Sequence, residues 1–187
     1  MAARKTGHAL QATIKGPVAN AGLNKRPYPP LAQRLFERPA MPALMKFLHI
    51  AAAIFWLGGI SFMLFALRPA AGQLAPAQRL PLIASVLKKF FLLVWVAVVL
   101  LLLTGLAMLM AVGMKNAPTG WHLMLGIGLL MFALFGHLYF GPYRRLQLAV
   151  AAADWPEAGR RVGQIATLAG LNLGLGALAI AAVIFLV

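Results

Sequence analysis

The chain contains no cysteine and only three acidic residues, Glu37, Asp154 and Glu157. The first absence excludes a disulfide framework, a thiolate metal site and thiol catalysis, and leaves the redox compartment unread. The second removes the usual equipment of hydrolytic and proton-relay chemistry. No carboxylate falls within any long apolar stretch, so a Ser-His-Asp triad or a carboxylate relay across a membrane has nothing to be built from. Zinc and non-haem iron sites, which usually recruit a carboxylate or a thiolate, are disfavoured for the same reason.

What is present is hydrophobic. Of 187 residues, 62% are apolar, and the mean hydropathy is +0.85, which excludes an ordinary soluble domain. Four apolar stretches stand out, at about 43–67, 90–113, 121–140 and 165–187. Each holds enough residues to cross a hydrocarbon layer of ~30 Å at ~1.5 Å per helical residue. A membrane-spanning segment must satisfy its own backbone, so helices are expected. The stretches are continuously apolar and lack the alternation of a membrane barrel. The fold class predicted is therefore all-α: a polytopic four-helix membrane bundle over 41–187, one domain, in contact with the lipid bilayer.

The formal charge of +14 does not point to nucleic acid. The basic residues sit in loops beside the spans, where the positive-inside rule and anionic lipid account for them. Residues 1–40 carry seven of them (Arg4, Lys5, Lys15, Lys25, Arg26, Arg34, Arg38), with Pro27, Pro29 and Pro30 breaking any helix. This segment reads as a disordered basic tail, and Met41 is an alternative start. Loop 68–89 carries Arg68, Arg79, Lys88 and Lys89, and loop 141–164 carries Arg144, Arg145, Arg160 and Arg161. The loop between spans two and three carries only Lys115. The bias places 68–89 and 141–164 in the cytoplasm of a plasma (inner) membrane protein, with both termini outside; the basic tail argues the other way.

Local signals refine the picture. Residues 77–89 read as an interfacial amphipathic helix leading into span two. Asp154, Trp155, Pro156 and Glu157 read as the start of a helix that runs on into span four. Close helix contacts are expected at Gly58-Gly59, Gly105, Gly126, Gly128 and the Gly170/Gly174 pair. Asn172 is expected to bond to a neighbouring helix. Spans one and three each begin near a histidine and end in a basic exit containing proline, the outline of a weak internal repeat.

The chemistry-bearing residues are histidines. Imidazole is costly in lipid unless it faces protein, so intramembrane histidines are functional candidates. His49 lies ~10 Å into span one. His122 opens span three at the same end of the bundle, and the two are expected to meet at one level. His137 lies 15 residues further along, ~22 Å down the axis, where it can cap the span or bind a lipid headgroup or haem propionate. Met45 shares a helical face with His49, and Met110 and Met114 share one near the outer end of span two. Imidazole with thioether, free of carboxylate and thiolate, suits Cu(I). Packing methionines and an interfacial His122 are the plainer reading of the same residues. A competing ligand is haem b held by His49 and His122 as axial imidazoles.

The stretch 45–59, with Met45, Lys46, His49, Trp56 and the Gly58-Gly59 pair, resembles the first helix of the CopD-like copper-resistance membrane proteins. Lys89 to Trp95 with Thr104-Gly105 resembles their second helix. Trp121-His122, Met124, Gly136-His137 and the exit Tyr143-Arg144-Arg145 resemble their third. The resemblance covers spans one to three. It implies a plasma-membrane component of copper uptake, export or resistance, working with a periplasmic partner that delivers copper; four helices are few for a solitary transporter, so a homo-oligomer is also expected. The same superfamily is similar to HemJ, a haem-binding protoporphyrinogen oxidase, whose Lys-x-x-His start is matched by Lys46 and His49. The lysine of that family's third span is replaced here by Met124. The expectation is a non-enzymatic copper protein with a site of His49, His122, Met45, Met110 and Met114. The alternatives are a haem-dependent membrane oxidoreductase using His49, His122 and His137, and a non-catalytic accessory subunit.

Overall fold

The computed structural model describes residues 40–186; the basic tail and the start proposed at Met41 bear on residues outside or at the edge of that range. The described residues form helices and turns, with no strand among them. In chain order they are α1 (Ala40–Phe62), a π-helical turn (Met63–Leu67), α2 (Arg68–Ala71), α3 (Pro76–Val112), α4 (Thr119–Leu138), a second π-helical turn (Tyr139–Tyr143), α5 (Arg144–Ala151) and α6 (Trp155–Phe185). Four continuous stretches of helix are long and apolar enough to cross a membrane: Ala43–Ala71, Pro76–Val112, Thr119–Ala151 and Trp155–Phe185. The chain is thus a multi-pass membrane protein.

The helices are longer than the apolar runs that announce them. The interfacial segment expected before span two is the first part of α3 itself, which starts on Pro76 at a position where a missing N–H costs nothing. Its far end is fixed by Gly113, whose φ of 83° lies in a region that L side chains rarely enter. The start predicted for span four is realised in α6. The Asp154 carboxylate accepts from the Glu157 backbone N–H at 3.0 Å, and Pro156 occupies the first turn. At 37 and 31 residues, α3 and α6 reach about 55 and 46 Å, well beyond the ~30 Å hydrocarbon. The surplus lies at the basic end.

Two pairings dominate the packing: α1 lies against α3, and α4 against α6. Between them sits an aromatic cluster. Trp56 of α1 stacks on Phe132 and meets Phe135 edge-on, both from α4. Phe91 of α3 meets Tyr143 edge-on with ring centroids 4.8 Å apart, and Trp95 meets Phe135 at 5.1 Å. Such geometries add ~0.5–1.5 kcal/mol per pair beyond area burial. The outer surface is the reverse of a soluble protein's, with Phe47, Phe65, Leu92 and Leu148 exposed and available to lipid.

Glycine contacts are redistributed relative to expectation. Gly59 lies against the Phe90 ring and Gly105 against His49, as expected. Gly58, Gly126, Gly128, Gly170 and Gly174 have open space where a Cβ would stand, so within this chain they do not serve close approach. That role falls to Gly120, against the Ala182 carbonyl, and Gly176, against Leu57. The Gly120 N–H also donates to Leu186 O at 3.0 Å, tying the start of α4 to the end of α6. Asn172 does bond across helices: its Nδ2 donates to Met131 O at 3.3 Å.

The outlined repeat has a structural counterpart. Spans one and three both pass into a π turn and continue as a short helix, with Pro69 just after the turn in one and Pro142 inside it in the other. Proline lacks the N–H that would close an i→i−4 ring, and a one-turn π segment is a way to absorb that loss.

Candidate functional site

His49 is half-buried on the face of α1 that meets α3. Its Nδ1 lies 2.9 Å from Thr104 Oγ1, a buried hydroxyl on α3. Gly105 beside it leaves room for the ring: a Cβ there would come within 3.2 Å of His49 Cε1.

Counting protons at this contact assigns the tautomer. Thr104 Oγ1 has one hydrogen, and it is committed to Leu100 O at 2.5 Å. The hydroxyl must therefore accept from His49, so Nδ1 carries the imidazole proton. Nε2 is left with a bare lone pair. This is the arrangement that metal-binding histidines adopt, one nitrogen donating to a fixed partner while the other faces the ion.

Met45 lies one turn outward from His49 on the same face of α1. On α3, Met108 is half-buried one turn outward from Thr104 and so shares the face turned to His49. Met110 and Met114 are exposed. His122 is exposed at the start of α4 and is held by the preceding loop. Its Nδ1 is 3.2 Å from Pro118 O and its Nε2 is 3.0 Å from Met114 O. Two carbonyls thus occupy both nitrogens of a ring that, when neutral, can donate to only one. His122 and Met114 meet through that backbone oxygen, and His49 meets Thr104. To act as an axial ligand of haem opposite His49, His122 would have to give up both carbonyls. Among the described residues no three of His, Asp and Glu gather as a metal cluster. His137 is exposed at the basic end, its ring over Gly141.

Thr104 and Met108 are the site features that composition and spacing did not single out as ligands or supports, whereas Gly105 was expected at a helix contact. The pairing of Thr104 with that glycine inside an otherwise aliphatic run was the available signal for the hydroxyl.

The sequence profile of the family described as copper resistance protein D (CopD) matches residues 84–186. That is more than half of the chain. The chain belongs to the CopD family. The match covers Thr104, Met108, His122 and His137, while α1 with His49 lies before it. No curated protein and no solved structure matches the chain. Family and fold together make this a copper-resistance membrane protein.

Proposed function

We propose that the chain binds copper as Cu(I) at the outer half of the α1–α3 interface and hands it on by exchange among few, labile ligands. His49 Nε2 is the central donor, with thioethers of Met45 and Met108 one turn outward. His122, Met110 and Met114 line the approach at the same end of the bundle, where His122 reaches an ion by releasing its loop carbonyls. The observation that carries this reading is the His49–Thr104 contact. In a CopD-family protein, a half-buried imidazole has its proton held on Nδ1 by Thr104 and its other nitrogen left with a lone pair to donate. Soft thioether and imidazole donors without carboxylate favour the monovalent ion. Copper is cargo here, so no resident cofactor is invoked. The loop bias supports placing this end outside the plasma membrane and the basic end in the cytoplasm.

The test is metal analysis of the purified full-length protein in detergent after loading with Cu(I) under reducing conditions. Wild type should retain near-stoichiometric copper. His49→Ala should lose most of it, and Met131→Leu, a packing change in the buried α4–α6 region, should behave as wild type. Equal retention in all three would falsify the site.

A further inference from the structure

At the basic end a separate cavity of about 430 Å3 opens between the second π turn and the first turns of α6. It lies ~22 Å along the axis from the level of His122 and takes no part in the copper reading. Five polar side chains line it: His137, Arg145, Arg161, Gln164 and Thr167. Gly141, Pro142 and Leu168 complete the lining.

The local chain geometry explains the convergence. His137 and Arg145 are eight residues apart, which in an unbroken α-helix sets them about 80° apart around the axis. The π turn between them takes up one residue. The spacing then acts as seven, two turns, and brings them to within about 20° of one face. Pro142, which cannot donate a backbone hydrogen bond, sits inside that turn.

The polar side chains at the cavity are chiefly donors, set in a mostly apolar lining that includes Leu168. Glu157, the nearest acid among the described residues, is not part of the lining. Its carboxylate is clamped by Arg160 on one oxygen and by Arg161 on the other, with Arg161 Nε at 2.6 Å. One carboxylate between two guanidiniums leaves positive charge over. Arg161 Nη1 also donates to Gln164 Oε1 at 2.8 Å. Arginine can only donate, so the Gln164 amide nitrogen is the end left for another acceptor. Arg145 has no ion-pair partner among the described residues. Between 144 and 161, four arginines stand against two acids, a net charge of +2.

We propose that this cavity binds an anionic phosphate group. A phosphate offers several strong acceptor oxygens to several donors at once, and the arginine fork matches it two oxygens at a time. The cavity lies where the apolar helix surface gives way to basic residues, the depth of lipid headgroups. On α6 the exposed stripe that begins at Gln164 and Thr167 continues as Leu171 and Leu178, an apolar track for an acyl chain. An anionic phospholipid and free phosphate share the recognising chemistry.

The experiment is equilibrium binding to full-length protein in a non-ionic detergent, read by thermal shift, with three probes: short-chain phosphatidylglycerol, short-chain phosphatidylcholine and inorganic phosphate. Phosphatidylglycerol should bind at least tenfold more tightly than phosphatidylcholine. Arg145→Gln, an exposed change that leaves the Glu157 clamp intact, should weaken it about tenfold, as expected for the loss of a charge-assisted fork. Arg145→Lys should fall between, since it keeps the charge and loses the fork. Arg144→Gln, outside the lining, is the control and should bind as wild type. If phosphatidylglycerol binds, the source is lipid; if only inorganic phosphate binds, with the same Arg145 dependence, the source is the free anion. Indifference to headgroup charge, or equal effects of the Arg145 and Arg144 changes, overturns the proposal. His137→Ala, read in the same way, guards against an Arg145 variant that fails to fold.

Discussion

Thr104 is a small side chain with two obligations. It returns its proton to Leu100 O and accepts one from His49. Threonines in membrane helices commonly make the first bond, so the Thr104-Gly105 pair stood out in its aliphatic run without marking this hydroxyl as a support for a histidine. His49 was legible because an imidazole deep in an apolar run demands a reason; its partner was not, because a hydroxyl there does not. Thr104→Val keeps the shape and removes the acceptor. Copper affinity, measured by competition with a Cu(I) chelator, should fall ten- to a hundredfold, the range for losing a ligand's orienting partner. Thermal stability should drop by only about 0.6 kcal/mol. Asn172 makes the opposite case. Its position on a helix contact was legible, yet its Oδ1 is buried without a hydrogen-bond partner among the described residues. Met131 O is a helix carbonyl that can do without its extra donor. Asn172→Leu should therefore change the unfolding free energy in detergent by no more than ~1 kcal/mol, in either direction. A loss well above that would show that Oδ1 holds a buried partner such as water.

Among the helices, apolar length alone predicted the membrane spans, and it did so for all four. It did not predict where they end. The first fourteen residues of α3, 76–89, carry Pro76, Pro81, Arg79, Lys88 and Lys89, and 77–89 was legible as helix, though as an interfacial one leading into the span rather than as part of it. Continuity with a long apolar helix and the cost of nucleating a separate one favour extension. The π turns were equally hidden, since Pro69 and Pro142 announce a break without saying how it is absorbed. Small residues were over-read in one place and under-read in another. Gly170 and Gly174 have the spacing of a packing motif and open space beside them, whereas the lone Gly120 meets a backbone carbonyl. Backbone cannot yield as a flexible side-chain tip can. Gly120→Val should therefore separate the α4–α6 pair at its outer end and cost about 1–3 kcal/mol of stability, while Gly174→Ala should be near neutral. Chemical unfolding of the two variants side by side checks the contrast.

At the scale of the whole molecule, four helices cross the apolar zone and project from it at one end, where the loop arginines and lysines collect. That charge asymmetry was readable residue by residue, and it is the basis of the proposed topology. The natural lack of cysteine makes it testable with single introduced thiols. In intact cells a membrane-impermeant maleimide should label Asn116→Cys readily. Gln78→Cys and Ala152→Cys should react only after permeabilisation, and the reverse pattern would invert the orientation. The same lack of acids within the apolar segments has an electrical consequence. No fixed negative charge stands ready to neutralise a cation inside the bundle. A copper ion passed inward from His49 would keep its full unit charge across the remaining depth, and its movement would register as current. The membrane voltage would then bias each transfer by about 2.3 kcal/mol per 100 mV for a complete crossing. For copper moved in this way, the cell's energisation would weigh on each transfer as much as the concentration of the metal.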